Sequence, residues 1–203
     1  VKGARVHAFE PVPSTFALAQ HERVQAAAGI DLASDSSTRS YFESLPPLWA
    51  SIHLAGGFLS APIAETSLAD FQRMLSINAV TCFLSCREAV RAIRRAGSRG
   101  GRVVNVAARP VVKPVGRLAA YTAAKAAVAA MTESLAEELR PESILVNAVL
   151  PSIIDTEANR KAMPDADFAT WPKASEIAET IALLVSPRNA LTSGALVPVY
   201  GRA

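Results

Sequence analysis

No charge-free run of about twenty apolar residues occurs in the 203-residue sequence, and its most apolar stretch, Ala119 to Ala136, carries Lys125, so no membrane partner is expected. No charged leader followed by an apolar core opens the chain either, which makes a cytoplasmic location the expectation. Cysteine is scarce. Cys82 and Cys86 stand four residues apart on a predicted helix with no second pair, which argues against a disulfide framework and against a zinc site, and leaves them as small core residues with no metal implied. Charge of one sign is also lacking, the net being only +3. The local run Arg91, Arg94, Arg95, Arg99, Arg102 reads as a solvated face at a helix C-terminus, where cations complement the dipole, so nucleic acid is not an expected partner. No repeat or linker divides the sequence. With 50% apolar and 19% charged residues it fits one domain over 1–203.

What is present is an alternation of short β-branched runs with helical patterns, the mark of a parallel α/β sheet. Arg5 to Phe9 is a strand ending at Glu10, Val24 to Ile30 one ending at Asp31, and Ser51 to Leu54 one ending in Ala55-Gly56-Gly57. Ser67 with Asp70 opens a long helix reaching Ala96, whose apolar stripe is Phe71, Met74, Leu75, Ala79, Cys82, Phe83 and Cys86, with Asn78 in its middle. Arg102 to Ala108 is a fourth strand, Ala119 to Arg140 a second long helix stopped by Pro141, and Ile144 to Leu150 a fifth strand ending at Pro151. Ser175 to Val185 is a final helix and Ala195 to Tyr200 a final strand. In open parallel sheets ligands gather at the carboxyl ends of strands. Glu10, Asp31, Ala55-Gly56, Ala108 and Pro151 to Thr156 therefore line one edge, a cleft suited to a long small-molecule ligand.

The centre of this pattern is the helix AAYTAAKAAVAAMTESLA. Nine of its eighteen residues are alanine, and Tyr121 and Lys125 at i and i+4 project from one face. A cation a few ångströms from a phenol favours phenolate and pulls its pKa, ordinarily about 10, toward neutrality, which suits proton transfer. Tyrosine and lysine at this spacing also occur on many helices with no such purpose, the ring packing and the ammonium reaching water. The surrounding segments decide between the two.

Those segments are YTAAK at Tyr121 to Lys125, the VVNV strand before it, HLAG at His53 to Gly56, SINAV around Asn78, and VNAVLPSIIDT at Val146 to Thr156. In their order and spacing the chain resembles the short-chain dehydrogenase/reductase family over nearly its whole length, with HLAG where the family usually has NNAG. The resemblance implies a Rossmann-like doubly wound parallel sheet with helices on both faces. It implies Tyr121 as proton donor, Lys125 as the group that lowers its pKa and holds the nicotinamide ribose, and Asn78 as the anchor of a water relay. Leu54, Ala55 and Gly56 would line the adenosine, with Asp31 and Pro151 on neighbouring strand ends, Ile153 at the nicotinamide amide and Thr156 at the diphosphate. It further implies a homodimer or homotetramer paired through the two long helices. A narrower resemblance joins Leu150 to Trp171, with LAGGF and TSGAL, to the quinonoid dihydropteridine reductases, which are NADH-dependent and lack the family's usual serine.

Two departures from the family pattern carry chemical weight. The serine expected thirteen residues before Tyr121 is Ala108, and loss of a preorganised donor to a developing oxyanion typically costs about 2.7–4 kcal/mol. An electron-poor acceptor such as a quinonoid dihydropterin tolerates that loss better than an ordinary ketone; alternatively a water or Arg109 replaces the hydroxyl. Second, the chain contains no glycine-rich dinucleotide loop. Its first strand has the character of the second strand of a nucleotide-binding fold, with Glu10 placed to take both adenine-ribose hydroxyls and so favour NADH over NADPH. One strand and one helix, about thirty residues or three kilodaltons, are expected upstream. A catalytically silent relative acting through its helix surfaces is the alternative reading.

Overall fold

The computed structural model describes residues 6–10, 21–97 and 100–203, with the side chains of residues 8–10 outside that description. β1 (Val6–Glu10) pairs in parallel with β2 (Val24–Ala28), and β3 (Ala50–His53), β4 (Gly101–Val106), β5 (Ile144–Pro151) and β6 (Leu196–Val199) form a second parallel sheet in that order. Because successive strand residues face opposite sides, the near-continuous apolar residues of β4 (GRVVNV) and β5 (ILVNAVLP) supply apolar groups to both. On one face Val103, Val146, Ala148 and Leu150 pack with Ile93, Val128 and Leu139. On the other, Val104 and Val149 pack with Ile177, Ile181, Leu184 and Val185. Helices thus cover both faces, as the doubly wound reading requires.

The helix expected from Ser67 is there, and Ser67 caps it: its hydroxyl accepts from the Asp70 amide at 3.0 Å and donates to the Asp70 carboxylate at 2.7 Å. It is not uniform. With α1 being Asp35–Ser44, α2 runs Leu68–Met74 and α3 runs Thr81–Arg94, and a π-helical segment, Leu75–Val80, joins them. This wide turn changes the register of the apolar stripe. Met74, Cys82 and Cys86 are buried, whereas Phe71 and Phe83 are 37% and 51% exposed. α4 (Ala119–Glu138), α5 (Glu157–Ala162) and α6 (Ala174–Val185) follow.

α1 has no counterpart in the sequence pattern, since its DSSTRSYFES buries only Thr38 and Phe42 and its apolar stripe is too thin to register. Ser34 caps its start, and the Arg95 guanidinium accounts for carbonyls at its end, donating to Phe42 O at 2.9 Å and Leu45 O at 3.1 Å. The arginine run therefore departs from a plain solvated face. Arg91 pairs with the buried Glu88 at 2.9 Å and Arg94 with Glu142 at 2.6 Å, while Arg99 lies outside the described residues. Arg102 is buried, stacked 4.9 Å over Trp49 and donating to Gly101 O and Asn189 O, because it starts a central strand rather than ending a helix.

Candidate active site

The carboxyl end of β4, the turn after β3 and the two long helices meet around Lys125. Its side chain is buried, and its Nζ donates to the Val106 carbonyl at 2.8 Å, the last residue of β4. Asn78, 1% exposed on the π turn, lies on the other side of the same pocket. Its Oδ1 accepts from the Gly57 amide at 3.2 Å, and its Nδ2 donates to Gly57 O at 3.1 Å and Met74 O at 3.0 Å. Gly56 fits between the two: a Cβ there would come within 2.6 Å of Asn78 Oδ1 and 3.2 Å of Lys125 Nζ. The missing side chain is what lets the β3 turn approach so closely.

Tyr121, one turn before Lys125, is half-buried with its ring edge-on to Phe58 at 5.0 Å. Burial pushes its phenol above the ordinary range and pulls the Lys125 ammonium down to about 8. The expected lowering of Tyr121 by Lys125 is therefore not what governs this pocket. Desolvation opposes the charged form of both groups, and Lys125 directs a proton to the Val106 carbonyl instead. Phe58 and the Val106 carbonyl are parts of the site that sequence reasoning passed over; LAGGF carried the first, and a backbone acceptor leaves no sequence signal.

Ala108 stands in extended backbone beyond β4, its methyl buried. Arg109, considered as a substitute donor, instead lies 5.1 Å over the Tyr200 ring. The remaining expected residues are spread along the sheet edge, and among the described residues none of them shares a hydrogen bond with Tyr121, Lys125 or Asn78. Asp31 accepts from the Ala33 amide at 2.9 Å in the turn before α1. Leu54 is 67% exposed, Ala55 half-buried, Pro151 buried and Ile153 exposed. Thr156 Oγ1 accepts from the Asn159 amide at 3.2 Å as the cap of α5. Glu10 ends β1, and its side chain lies outside the described residues.

A buried lysine at a strand end, a side-chain-free approach at Gly56 and a half-buried tyrosine one turn away together fit a dinucleotide's nicotinamide end. A family model described as enoyl-(acyl carrier protein) reductase matches residues 12–201. The chain belongs to the short-chain dehydrogenase/reductase family. It is 31% identical over 189 residues to a short-chain type dehydrogenase/reductase of Picea abies, covering 84% of this chain and 68% of that one. Carbonyl reductase [NADPH] 2 of Sus scrofa is 26% identical over 178 residues, covering 83% and 72%. A Serratia marcescens short-chain dehydrogenase/reductase structure superposes with a TM-score of 0.87 at 27% identity, covering 98% of this chain and 87% of that chain. As a member of this family the chain is an oxidoreductase that uses NAD(P). Among the described residues no helix is long and apolar enough to cross a membrane.

Proposed function

We propose that the protein reduces a small, electron-poor substrate of the quinonoid dihydropteridine kind with NADH, Tyr121 giving the proton. The observation that carries this reading is the buried methyl of Ala108 at the end of β4, where the family's serine hydroxyl is expected and Arg109 is occupied elsewhere. A substrate that develops full alkoxide character needs a second donor beside the tyrosine; one whose reduction relieves an unfavourable tautomer does not. The Leu150 to Trp171 resemblance supports the same substrate class.

In this reading Lys125 holds the nicotinamide ribose, Leu54, Ala55 and Gly56 line the adenosine, Ile153 meets the carboxamide and Thr156 the diphosphate, with Asp31 and Pro151 flanking and Glu10 on the adenine ribose. The cofactor supplies the hydride. Tyr121 Oη carries the proton to the substrate; its raised pKa keeps it protonated until the substrate's developing charge accepts it. Lys125, near neutrality at about 8, can pass a proton toward the phenol afterwards, and Asn78 fixes the turn that shapes the pocket. Phe71, Val80 and Phe83 on one helix, with the exposed Ala123, Ala126 and Ala130 on α4, support pairing of two copies through these helices.

With NADH the wild type is expected to reduce a quinonoid dihydropterin readily and simple ketones hardly at all. Ala108→Ser should raise kcat/KM for the ketone more than for the pterin, a ratio that cancels general losses of folding. A wild type that reduces ketones well, with a ratio unmoved by the serine, overturns the proposal.

A further inference from the structure

His53, Cys82 and Cys86 converge although the chain separates the histidine, at the end of β3, from the cysteines of α3 by a loop, α2 and the π-helical segment. Their ligand atoms, one imidazole nitrogen and two thiol sulfurs, lie within 4.8 Å of one another. Cys82 Sγ and Cys86 Sγ are 4.0 Å apart, and Cys86 Sγ is 3.5 Å from His53 Nδ1. Zinc–sulfur bonds of about 2.3 Å and zinc–nitrogen bonds of about 2.0 Å at tetrahedral angles separate two sulfurs by about 3.8 Å and a sulfur from a nitrogen by about 3.5 Å. Two of the three separations, that between the sulfurs and that from Cys86 to the imidazole, stand near the spacing a single ion would impose, and the third group lies within 4.8 Å.

We propose that His53 Nδ1, Cys82 Sγ and Cys86 Sγ form a binding site for a thiophilic d10 cation of the Zn2+ type, joining β3 to α3. The i, i+4 spacing puts both sulfurs on one face of α3, and both are buried. The imidazole is held from behind, because its Nε2 lies 2.9 Å from Ser51 Oγ, the outer-sphere hydrogen bond that orients a ligating histidine. Asn105 adds a neutral oxygen at the fourth side. Its Oδ1 is 2.8 Å from His53 Nδ1 and 3.4 Å from Cys86 Sγ, and its amide is fixed by donating to Thr132 Oγ1 at 2.9 Å. Two soft thiolates and an imidazole select zinc over magnesium or calcium. Binding forms two metal–sulfur bonds and one metal–nitrogen bond; each thiol gives its proton to solvent, and the Nδ1 proton that His53 donates to Asn105 Oδ1 is replaced by one on Nε2, which then donates to Ser51 Oγ, so no oxidant or reductant is involved. The ion's structural effect falls on β3, which among the described residues pairs with β4.

The test loads the full, reduced, metal-stripped chain with Zn2+, and separately with Co2+ as a spectroscopic probe. One equivalent of zinc should be retained through dialysis, the cobalt form should show sulfur-to-metal charge-transfer absorption, and zinc should raise Tm. Cys86→Ser and His53→Asn should each weaken zinc binding at least tenfold and remove most of the Tm increase. Retention of less than a stoichiometric amount of zinc, or binding unchanged in Cys86→Ser, overturns the proposal. Should both variants fail to fold, the wild-type cobalt spectrum decides, and a spectrum without the sulfur band overturns it as well.

Discussion

The Asn78 carboxamide is bound to both polar groups of one residue, accepting from the Gly57 amide and donating to the Gly57 carbonyl, so that the helix and the β3 turn are joined as two strands of a sheet would be. A side chain here does what a backbone ladder does elsewhere. The pocket beside it keeps its shape only while that pairing holds, since Gly56 rests directly against the same carboxamide.

Asn78→Ala removes the side-chain partner of the half-buried Gly57 amide and carbonyl and of the buried Met74 carbonyl, and should lower stability by about 1–3 kcal/mol in urea unfolding. Gly56→Ala should lower turnover further than stability, because the added methyl pushes on Lys125 as well as on Asn78. Equal turnover in Gly56→Ala and wild type would show that the close approach has no bearing on activity.

Tyr121→Phe keeps the ring and its contact with Phe58 while removing the ionisable oxygen. Cofactor affinity, followed by fluorescence titration, should stay within a few-fold, and kcat should drop by about a hundredfold or more. A phenylalanine variant with normal kcat would place the proton donor elsewhere.

Lys125 gives the fold a specific pH signature. Its folded value of about 8 lies below the ordinary 10.5, so between those limits the unfolded chain binds more protons and stability rises with pH. Below pH 8 both states hold the proton and the burial penalty is at its full size, roughly 3 kcal/mol at about 1.36 kcal/mol per pH unit. Urea unfolding at pH 7 to pH 10 should show Lys125→Met more stable than wild type at neutral pH, the difference shrinking as pH rises. Parallel curves for the two proteins would mean that Lys125 keeps its ordinary pKa.

Glu10 tests the cofactor reading. A carboxylate beside a 2′-phosphate adds like-charge repulsion, so NADH should bind at least tenfold more tightly than NADPH, and Glu10→Ala should narrow that gap. Equal affinities in the wild type would remove Glu10 from the cofactor site and bring the chain nearer its NADPH-named relative.

Much of this was legible in the residues because the signals are local. Near-continuous apolar runs that serve two faces marked β4 and β5, a serine and an aspartate three apart marked the start of α2, and i, i+4 spacing marked Tyr121 with Lys125. What stayed hidden depends on tertiary surroundings. α1 and α5 are short and polar, and are fixed by caps and distant arginines rather than by a stripe. Burial raises the Tyr121 phenol and lowers the Lys125 ammonium, a surrounding that i, i+4 spacing does not show. His53 reached the cysteines only through folding, which is why two cysteines without a second pair looked inert.

The π turn at Leu75–Val80 separates two inheritances within one continuous helical rod. Such a turn holds one residue more than an α-helix needs for the same span, and in an ordinary helix removal of one residue would swing everything downstream by about 100°. Excising one position from Leu75–Val80 instead restores regular winding on both sides and keeps the arginines and small residues of α3 against their neighbours, while withdrawing Asn78 from Gly57. Under the proposed role of Asn78, such a deletion is expected to cost turnover more than it costs the fold.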